Sequence, residues 1–241
     1  MKLNELRKIL NCQNKVIFFI SLFAIGLSIC AMILSIINLY QKTDEQVFDE
    51  NINKVVEIKV SNDGETWGYG TGCFISSDGL ILTNKHMVYS ESLETNYTII
   101  QVRLPTETDF IDASIIKISE SVDLATIKIN RQNCDYFDIE NNVKNGEEIY
   151  TIGNPNGFGL SFTKGNVSSS LRNVIYNDTT IQAIQTSLVI NEGNSGGPVF
   201  NKDGKLLGLI SFRLKDKNGE VIQGVSFAIP SNQIIIFLNE D

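Results

Sequence analysis

Two segments of this chain carry residues whose types invite chemistry: Gly193-Asn194-Ser195-Gly196-Gly197-Pro198, and the chain's single histidine in Thr83-Asn84-Lys85-His86. A serine hydroxyl is a poor nucleophile until a base takes its proton, and imidazole is the usual base near neutral pH. Any serine–histidine chemistry here must therefore use His86. Asp123, in Ser121-Val122-Asp123-Leu124-Ala125-Thr126-Ile127-Lys128-Ile129, is the third candidate. A carboxylate at the head of an apolar, β-branched run is costly to bury unless it is paired. Holding the Nδ1–H of a catalytic imidazole is one such pairing. Each signal has a plainer reading on its own. Gly-Asn-Ser-Gly-Gly is a good turn, a lone histidine is commonly a satisfied polar residue, and an aspartate before a strand is commonly a turn residue.

Chain order separates these readings. Histidine, aspartate and serine follow one another as in chymotrypsin-type proteases; subtilisins run Asp, His, Ser and α/β-hydrolases run Ser, Asp/Glu, His. Gly193-Asn194-Ser195-Gly196-Gly197 also fits the G-x-S-x-G elbow of esterases, but no histidine follows Ser195. An α/β-hydrolase is thereby excluded.

From these and further motifs the chain resembles the trypsin-like serine proteases of the HtrA/Deg group. Gly70-Thr71-Gly72-Cys73-Phe74-Ile75 is similar to that group's Gly-Ser-Gly strand, and Leu82-Thr83-Asn84-Lys85-His86-Met87-Val88 to its Thr-Asn-x-His-Val motif. Asp123-Leu124-Ala125, Ile152-Gly153-Asn154-Pro155, Ile184-Gln185-Thr186, the block Ile190 to Pro198, and Gly224-Val225-Ser226-Phe227-Ala228-Ile229-Pro230 follow in register over about residues 50–238. Glu192 stands where the group usually has proline, and Met87 where it usually has valine. The sequence stops about ten residues after Pro230, so no PDZ domain is expected. The trimer common in the group is left open, a homo-oligomer being one outcome.

The resemblance implies a membrane-anchored serine endopeptidase acting on unfolded or extended polypeptides. Asp123 would orient His86, His86 would take the Ser195 proton, and the N–H groups of Gly193 and Ser195 would form the oxyanion hole. A catalytically silent, protein-binding member of the same fold is the alternative. Asn194 occupies the place of the aspartate that receives the new N-terminus in secreted zymogens; with the N-terminus here tied to an apolar membrane run, activation by N-terminal cleavage is not expected. The pocket for the side chain before the scissile bond is expected from Leu188, Val189 and Ile190, together with Ser211, Phe212 and Gly224. These are mostly apolar and Val189 offers no carboxylate at the floor, which predicts cleavage after Val, Ile, Leu or Ala. Arg213 is expected toward the rim.

The elements that must hold these groups are short β runs. Val55–Val60, Leu80–Leu82, Thr98–Leu104, Ala113–Ile118, Ala125–Ile129, Leu206–Ile210 and Val221–Ile222 alternate with turns such as Ser77-Asp78-Gly79 and Lys202-Asp203-Gly204. Many short strands with frequent turns indicate an all-β antiparallel barrel or sandwich. The expected architecture is two antiparallel, chymotrypsin-like β-barrels within a domain at 51–241, with the site between them. Barrel one covers about 51–138 and barrel two about 146–232, joined through 141–146. The segment 233–241 is a final strand or, by the resemblance, a C-terminal helix that Ser231 would cap.

Ahead of this domain, Val16 to Tyr40 carries no charge and at ~1.5 Å per residue can cross a ~30 Å hydrocarbon core. A cleaved signal peptide is the main rival, but its apolar region should be shorter and end in small residues. The run is read as an uncleaved signal anchor at 16–40, between a cytoplasmic segment at 1–15 and a polar stalk at 41–50. Residues 1–40 carry a net charge of +3 and the remainder −11. The positive flank places the N-terminus in the cytoplasm and the protease domain outside it, on a single-pass cell-membrane protein. The acidic remainder argues against nucleic acid as a partner. Of the four cysteines, only Cys73 and Cys134 share the ectodomain. They would pair only if their Cα atoms lie within ~7 Å; otherwise Cys73 is a small buried hydrophobe. No Cys/His cluster has metal-ligand spacing, and neither a metal nor another cofactor is expected.

Overall fold

The computed structural model describes residues 3–39, 42–176, 179–215 and 220–240. The chain divides into two compact units, Met1–Asp44 and Glu45–Asp241. The first contains helix α1 (Leu3–Leu39), whose segment Asn14–Leu34 is apolar and wholly uncovered by protein. Within it, Ser21 and Ser28 donate their hydroxyls to the carbonyls of Ile17 and Ala24, one turn back. These two hydroxyls are thus satisfied inside the helix. The segment has the length and surface of a helix that crosses a bilayer.

The second unit opens with α2 (Asp44–Asn51). The polar stalk expected over 41–50 is therefore a helix for most of its length. The reason lies in Val47 and Phe48, which pack into the domain core beside Phe137 and Tyr150.

The strands follow in chain order: β1 (Val55–Ser61), β2 (Gly68–Phe74), β3 (Leu80–Thr83), β4 (Tyr89–Ser90), β5 (Thr95–Asn96), β6 (Ile99–Arg103), β7 (Ile111–Asp112), β8 (Ser114–Ile118) and β9 (Ala125–Lys128). Then come β10 (Asp138–Ile139), β11 (Glu148–Gly153), β12 (Ser161–Tyr176), β13 (Thr179–Thr186), β14 (Pro198–Asn201), β15 (Lys205–Lys215) and β16 (Val221–Pro230). They make two curled seven-stranded sheets, in the trypsin-like two-barrel arrangement, with β4 and β5 as a separate ribbon. The first sheet runs β7-β6-β1-β2-β3-β9-β8. The second runs β10-β15-β14-β11-β12-β13-β16, and β16 pairs back onto β15 to close it.

The imperfect alternation of β1 has a physical cause, since the strand serves two cores. Val56, Ile58 and Val60 pack inside the first sheet with Phe74, Ile81 and Ile127, whereas Val55 joins the second cluster with Leu82, Tyr150 and Phe200. Glu57, on the other face, is buried only because Arg103 meets it with two parallel hydrogen bonds, Nε and Nη2 each at 3.0 Å.

Residues 231–239 are the helix α3 (Ser231–Asn239), not a strand. Ile234 and Phe237 bury against the core, and Lys117 of β8 donates its ammonium to the Phe237 carbonyl at 2.7 Å. Ser231 does not cap the helix: the N-cap is Pro230, and the buried Ser231 Oγ has no partner. Cys73 and Cys134 are both free, packed into different clusters, and desolvation raises the Cys73 thiol pKa far above its usual range.

Candidate active site

His86 stands in a one-turn 3₁₀ segment, Lys85–Met87, directly after β3. Leu82 pulls that strand end into the core, and Thr83 and Asn84 are fully buried behind it. Asp123 stands two residues before β9, the antiparallel neighbour of β3, with Thr83 opposite Ala125. Adjacent strand ends therefore deliver both side chains to one place, and Asn84 Nδ2 fixes the second loop by donating to the Asp123 carbonyl at 2.9 Å.

The Asp123 carboxylate receives the His86 backbone N–H on Oδ1 at 3.0 Å and lies 2.9 Å through Oδ2 from His86 Nδ1. A carboxylate only accepts, so Nδ1 carries the proton and Nε2 of the neutral ring is left as an acceptor. Ser211 Oγ donates a third hydrogen bond, to Asp123 Oδ2 at 2.9 Å. Desolvation of the ring opposes protonation, but the hydrogen bond and charge of Asp123, with a smaller contribution from Glu91, outweigh it. The imidazole pKa therefore lies above its ordinary value. About two-fifths of the His86 side chain remains open to solvent.

Ser195 lies in the loop between β13 and β14, and Thr71 of β2 holds that loop in place. Its N–H donates to the Ser195 carbonyl at 2.9 Å, and its hydroxyl donates to the Gly193 carbonyl at 2.7 Å. The same oxygen accepts the Asn154 N–H at 2.9 Å. From the other side, Gly196 N–H meets the Ile210 carbonyl and Ile210 N–H meets the Gly197 carbonyl, at 3.0 and 2.9 Å. A Cβ on Gly196, at φ +80°, would come within 2.2 Å of the Thr71 carbonyl oxygen.

One peptide plane is decisive for the loop. The Glu192 carbonyl accepts the Asn156 N–H at 2.7 Å. In a trans peptide the following N–H points the opposite way, so that of Gly193 is turned away from the Asn154–Asn156 turn. Gly193 has φ +93°, and a Cβ there would lie 2.1 Å from the Asn154 carbonyl oxygen; only glycine fits. Among the described residues, the N–H groups of Gly193 and Ser195 donate to no acceptor, and neither does the Ser195 hydroxyl.

His86, Asp123 and Ser195 line one cleft of about 970 Å³ within this unit. Of the residues expected for a substrate pocket, Ile190, Ser211 and Phe212 reach it. Leu188, Val189 and Gly224 do not line it. Leu188 turns into the core beside Ile149 and Val199, and Val189 is 57% exposed. Gly224 has no heavy atom within 4 Å of where a Cβ would stand. Arg213, half-buried, lines the cleft as well and donates Nη1 to the Ile190 carbonyl at 3.2 Å and to Asn191 Oδ1 at 3.4 Å. Sequence reasoning missed Thr71 as the clamp of the serine loop, Asn156 as the partner of the Glu192 carbonyl, and Ser211 as a donor to Asp123. Thr71 lay inside a quoted motif, but its contacts reach 122 residues along the chain.

An imidazole held by a carboxylate and, on the same cleft, a serine hydroxyl without a partner among the described residues lie between the two curled β-sheets of a chymotrypsin-like peptidase fold. Comparison with known proteins agrees. Residues 70–209 match the model of the trypsin-like peptidase domain, and the chain belongs to that family. The chain is 37% identical over 178 residues to a probable periplasmic serine endoprotease DegP-like of Pseudomonas putida (strain W619), covering 73% of this chain and 35% of that protein. It is 37% identical over 177 residues to the protein of the same description from Chlamydia pneumoniae, covering 71% of this chain and 34% of that one. The chain thus spans about a third of the length of these curated relatives. Among solved structures, the HtrA-type protease AlgW with tripeptide superposes with a TM-score of 0.71 at 26% identity, over 82% of this chain and 62% of that one.

Proposed function

We propose that the chain is a membrane-anchored serine endopeptidase that cuts extended or unfolded polypeptides through an acyl-enzyme. The observation that carries this reading is the Asp123 carboxylate bonded to both the backbone N–H and the Nδ1 of His86, with the partner-free Ser195 hydroxyl on the same cleft. His86 Nε2 takes the Ser195 proton as Oγ attacks the scissile carbonyl. The imidazolium, stabilised by Asp123, then gives that proton to the leaving amine. Water, deprotonated by the same nitrogen, hydrolyses the ester and regenerates Ser195. The developing oxyanion is received by the N–H groups of Gly193 and Ser195. Because the Glu192 carbonyl is already turned toward Asn156, the first of these is oriented before substrate arrives, which is the condition under which such donors count most.

The fold admits substrate lengthwise. β15 presents Ser211–Arg213 along one wall of the cleft, and the segment Ile190–Glu192 forms the other. Helix α1 spans the membrane with its +3 flank in the cytoplasm and the peptidase unit outside. The word periplasmic in the relatives' descriptions is in keeping with that orientation.

Labelling of the full chain in detergent by a fluorophosphonate, with loss of label in Ser195→Ala, tests the nucleophile. An unlabelled wild type that also leaves unfolded casein intact would sink the assignment. Protease added to intact cells or spheroplasts tests the topology. Digestion of the peptidase unit without lysis is expected, and complete protection would reverse the orientation.

A further inference from the structure

The two walls of the cleft beside Ser195 are tied to each other by side chains. Deep inside, the buried Ser226 hydroxyl of β16 donates to the Leu188 carbonyl at 3.0 Å and meets Thr186 Oγ1 at 2.6 Å. Nearer the opening, Arg213 of β15, the register partner of Ser226, reaches across to the Ile190 carbonyl and Asn191 Oδ1. Both ties cross from the β15–β16 pair to the segment leading into the nucleophile. In the proposed function that gap receives the side chain before the scissile bond.

The lower tie is permanent. Ser226 is 1% exposed, and both its partners are buried, so breaking it would strand polar groups without water. The upper tie differs in kind. Arg213 is only half-buried, its two bonds are long, and both acceptors are neutral. No carboxylate pairs with it among the described ion pairs. A guanidinium held by one nitrogen on neutral oxygens is a filler that can be cut away without unfolding its surroundings.

We infer that Arg213 is a specificity-determining residue: its side chain shortens the pocket before the scissile bond and restricts it to small residues, Ala, Ser and Val, at the expense of Leu, Met and Phe. This rests on the peptidase reading and narrows the aliphatic preference read from the sequence. A larger side chain must displace the guanidinium from its two acceptors, leaving the Ile190 carbonyl unpaired, and gains less from burial in return. Lysine and arginine are refused twice, by the absence of a carboxylate and by the positive charge of Arg213 itself.

The test compares full-length wild type, Arg213→Ala and Arg213→Lys. Each is labelled with a fluorophosphonate, and each digests unfolded casein with the cleavage sites mapped by mass spectrometry. Labelling shows which of the three chains hold a reactive Ser195, and the profiles of those chains are compared. Wild type should cut after Ala, Ser and Val. Arg213→Ala should gain Leu, Met and Phe sites, with kcat/KM for those residues rising by about 10-fold or more, the scale on which single apolar groups are discriminated. Arg213→Lys, which keeps reach, charge and a donor, should stay near wild type. Three normally labelled chains with the same profile, Leu and Phe included, would overturn the role of Arg213 and leave the peptidase intact. No label and no cleavage in any chain would overturn the peptidase reading, and this inference with it.

Discussion

Replacing Thr71 by valine removes one oxygen from a fully buried site while keeping its shape. That oxygen donates to the Gly193 carbonyl and accepts the Asn154 N–H. The substitution therefore leaves one buried acceptor and one buried donor unmatched, at about 1–3 kcal/mol each. Partial relaxation sets the expected loss of stability at about 2–4 kcal/mol. The functional loss follows from which groups are released. The Gly193 carbonyl anchors the residue whose N–H is turned away from the Asn154–Asn156 turn and is the proposed oxyanion donor, and Asn154 opens the turn whose Asn156 N–H holds the Glu192 carbonyl. With both freed, the Glu192–Gly193 peptide has no fixed orientation. Loss of one ordered oxyanion donor costs about 10²–10³ in kcat. Thr71→Val should thus lower kcat by about that factor with little change in KM, and slow fluorophosphonate labelling in parallel. Thr71→Ser keeps both hydrogen bonds and gives up one methyl, about 1 kcal/mol of stability, and should retain kcat within a few-fold. Rates are compared at a temperature where urea titration shows every variant folded. A folded Thr71→Val with wild-type kcat, or a Thr71→Ser as impaired as the valine variant, would refute the reasoning.

Further outcomes follow from the site and its supports. Activity needs neutral His86, whose pKa is raised by Asp123, so kcat/KM should rise with pH through a midpoint above the ordinary ~6.5 of a histidine, and Asp123→Asn should lower both midpoint and plateau. The stability linked to the same group has the opposite sign: it is complete below the unfolded-state pKa and fades as pH climbs through the raised folded value, which a melt series across that window reads. Gly193→Ala should label at least 10²-fold more slowly, because its methyl group would meet the Asn154 carbonyl oxygen at 2.1 Å. Phe237→Ala, removing a ring that is 1% exposed, should cost about 3–5 kcal/mol in urea titration without touching the cleft.

The parts of the fold legible in the sequence are those where burial writes a pattern. The runs Leu80–Leu82 and Ala125–Ile129 are apolar because both strands lie in the core, and their pairing is what sets His86 against Asp123. β12 stayed hidden for the converse reason. Of its described side chains only Val167 is buried, and backbone pairing holds the rest, to β11 over Ser161–Asn166 and to β13 from Val167 onward. Helix α2 was obscured by its charges, since only Val47 and Phe48 reach the core. Around the site, residue types at the strand ends could be read, but the pocket walls could not. Whether Leu188 or Ile190 faces the cleft depends on how a segment without regular structure turns between β13 and β14. The reach of Arg213 depends on the distance between two strands far apart in sequence. Thr71 belongs with these: its hydrogen bonds are tertiary, and a threonine in a buried strand carries no mark of them.

The ties across the nucleophile loop also bear on which molecules this peptidase can attack. Ser195 is gripped on one side by β2 and its neighbours on the other by β15, so the gap between the barrels has a fixed width. Widening it to admit a folded surface would break the bonds by which Thr71 of β2 holds the serine loop. Under the proposed function a target must instead bring a single strand free of its own partners, and the target bears the free energy of exposing that strand. Cleavage rates among proteins of similar sequence should then rank by how readily each frays locally. On that reading the peptidase unit would act as a gauge of other chains' local stability, with sequence preference deciding only where along an already loosened segment the cut falls.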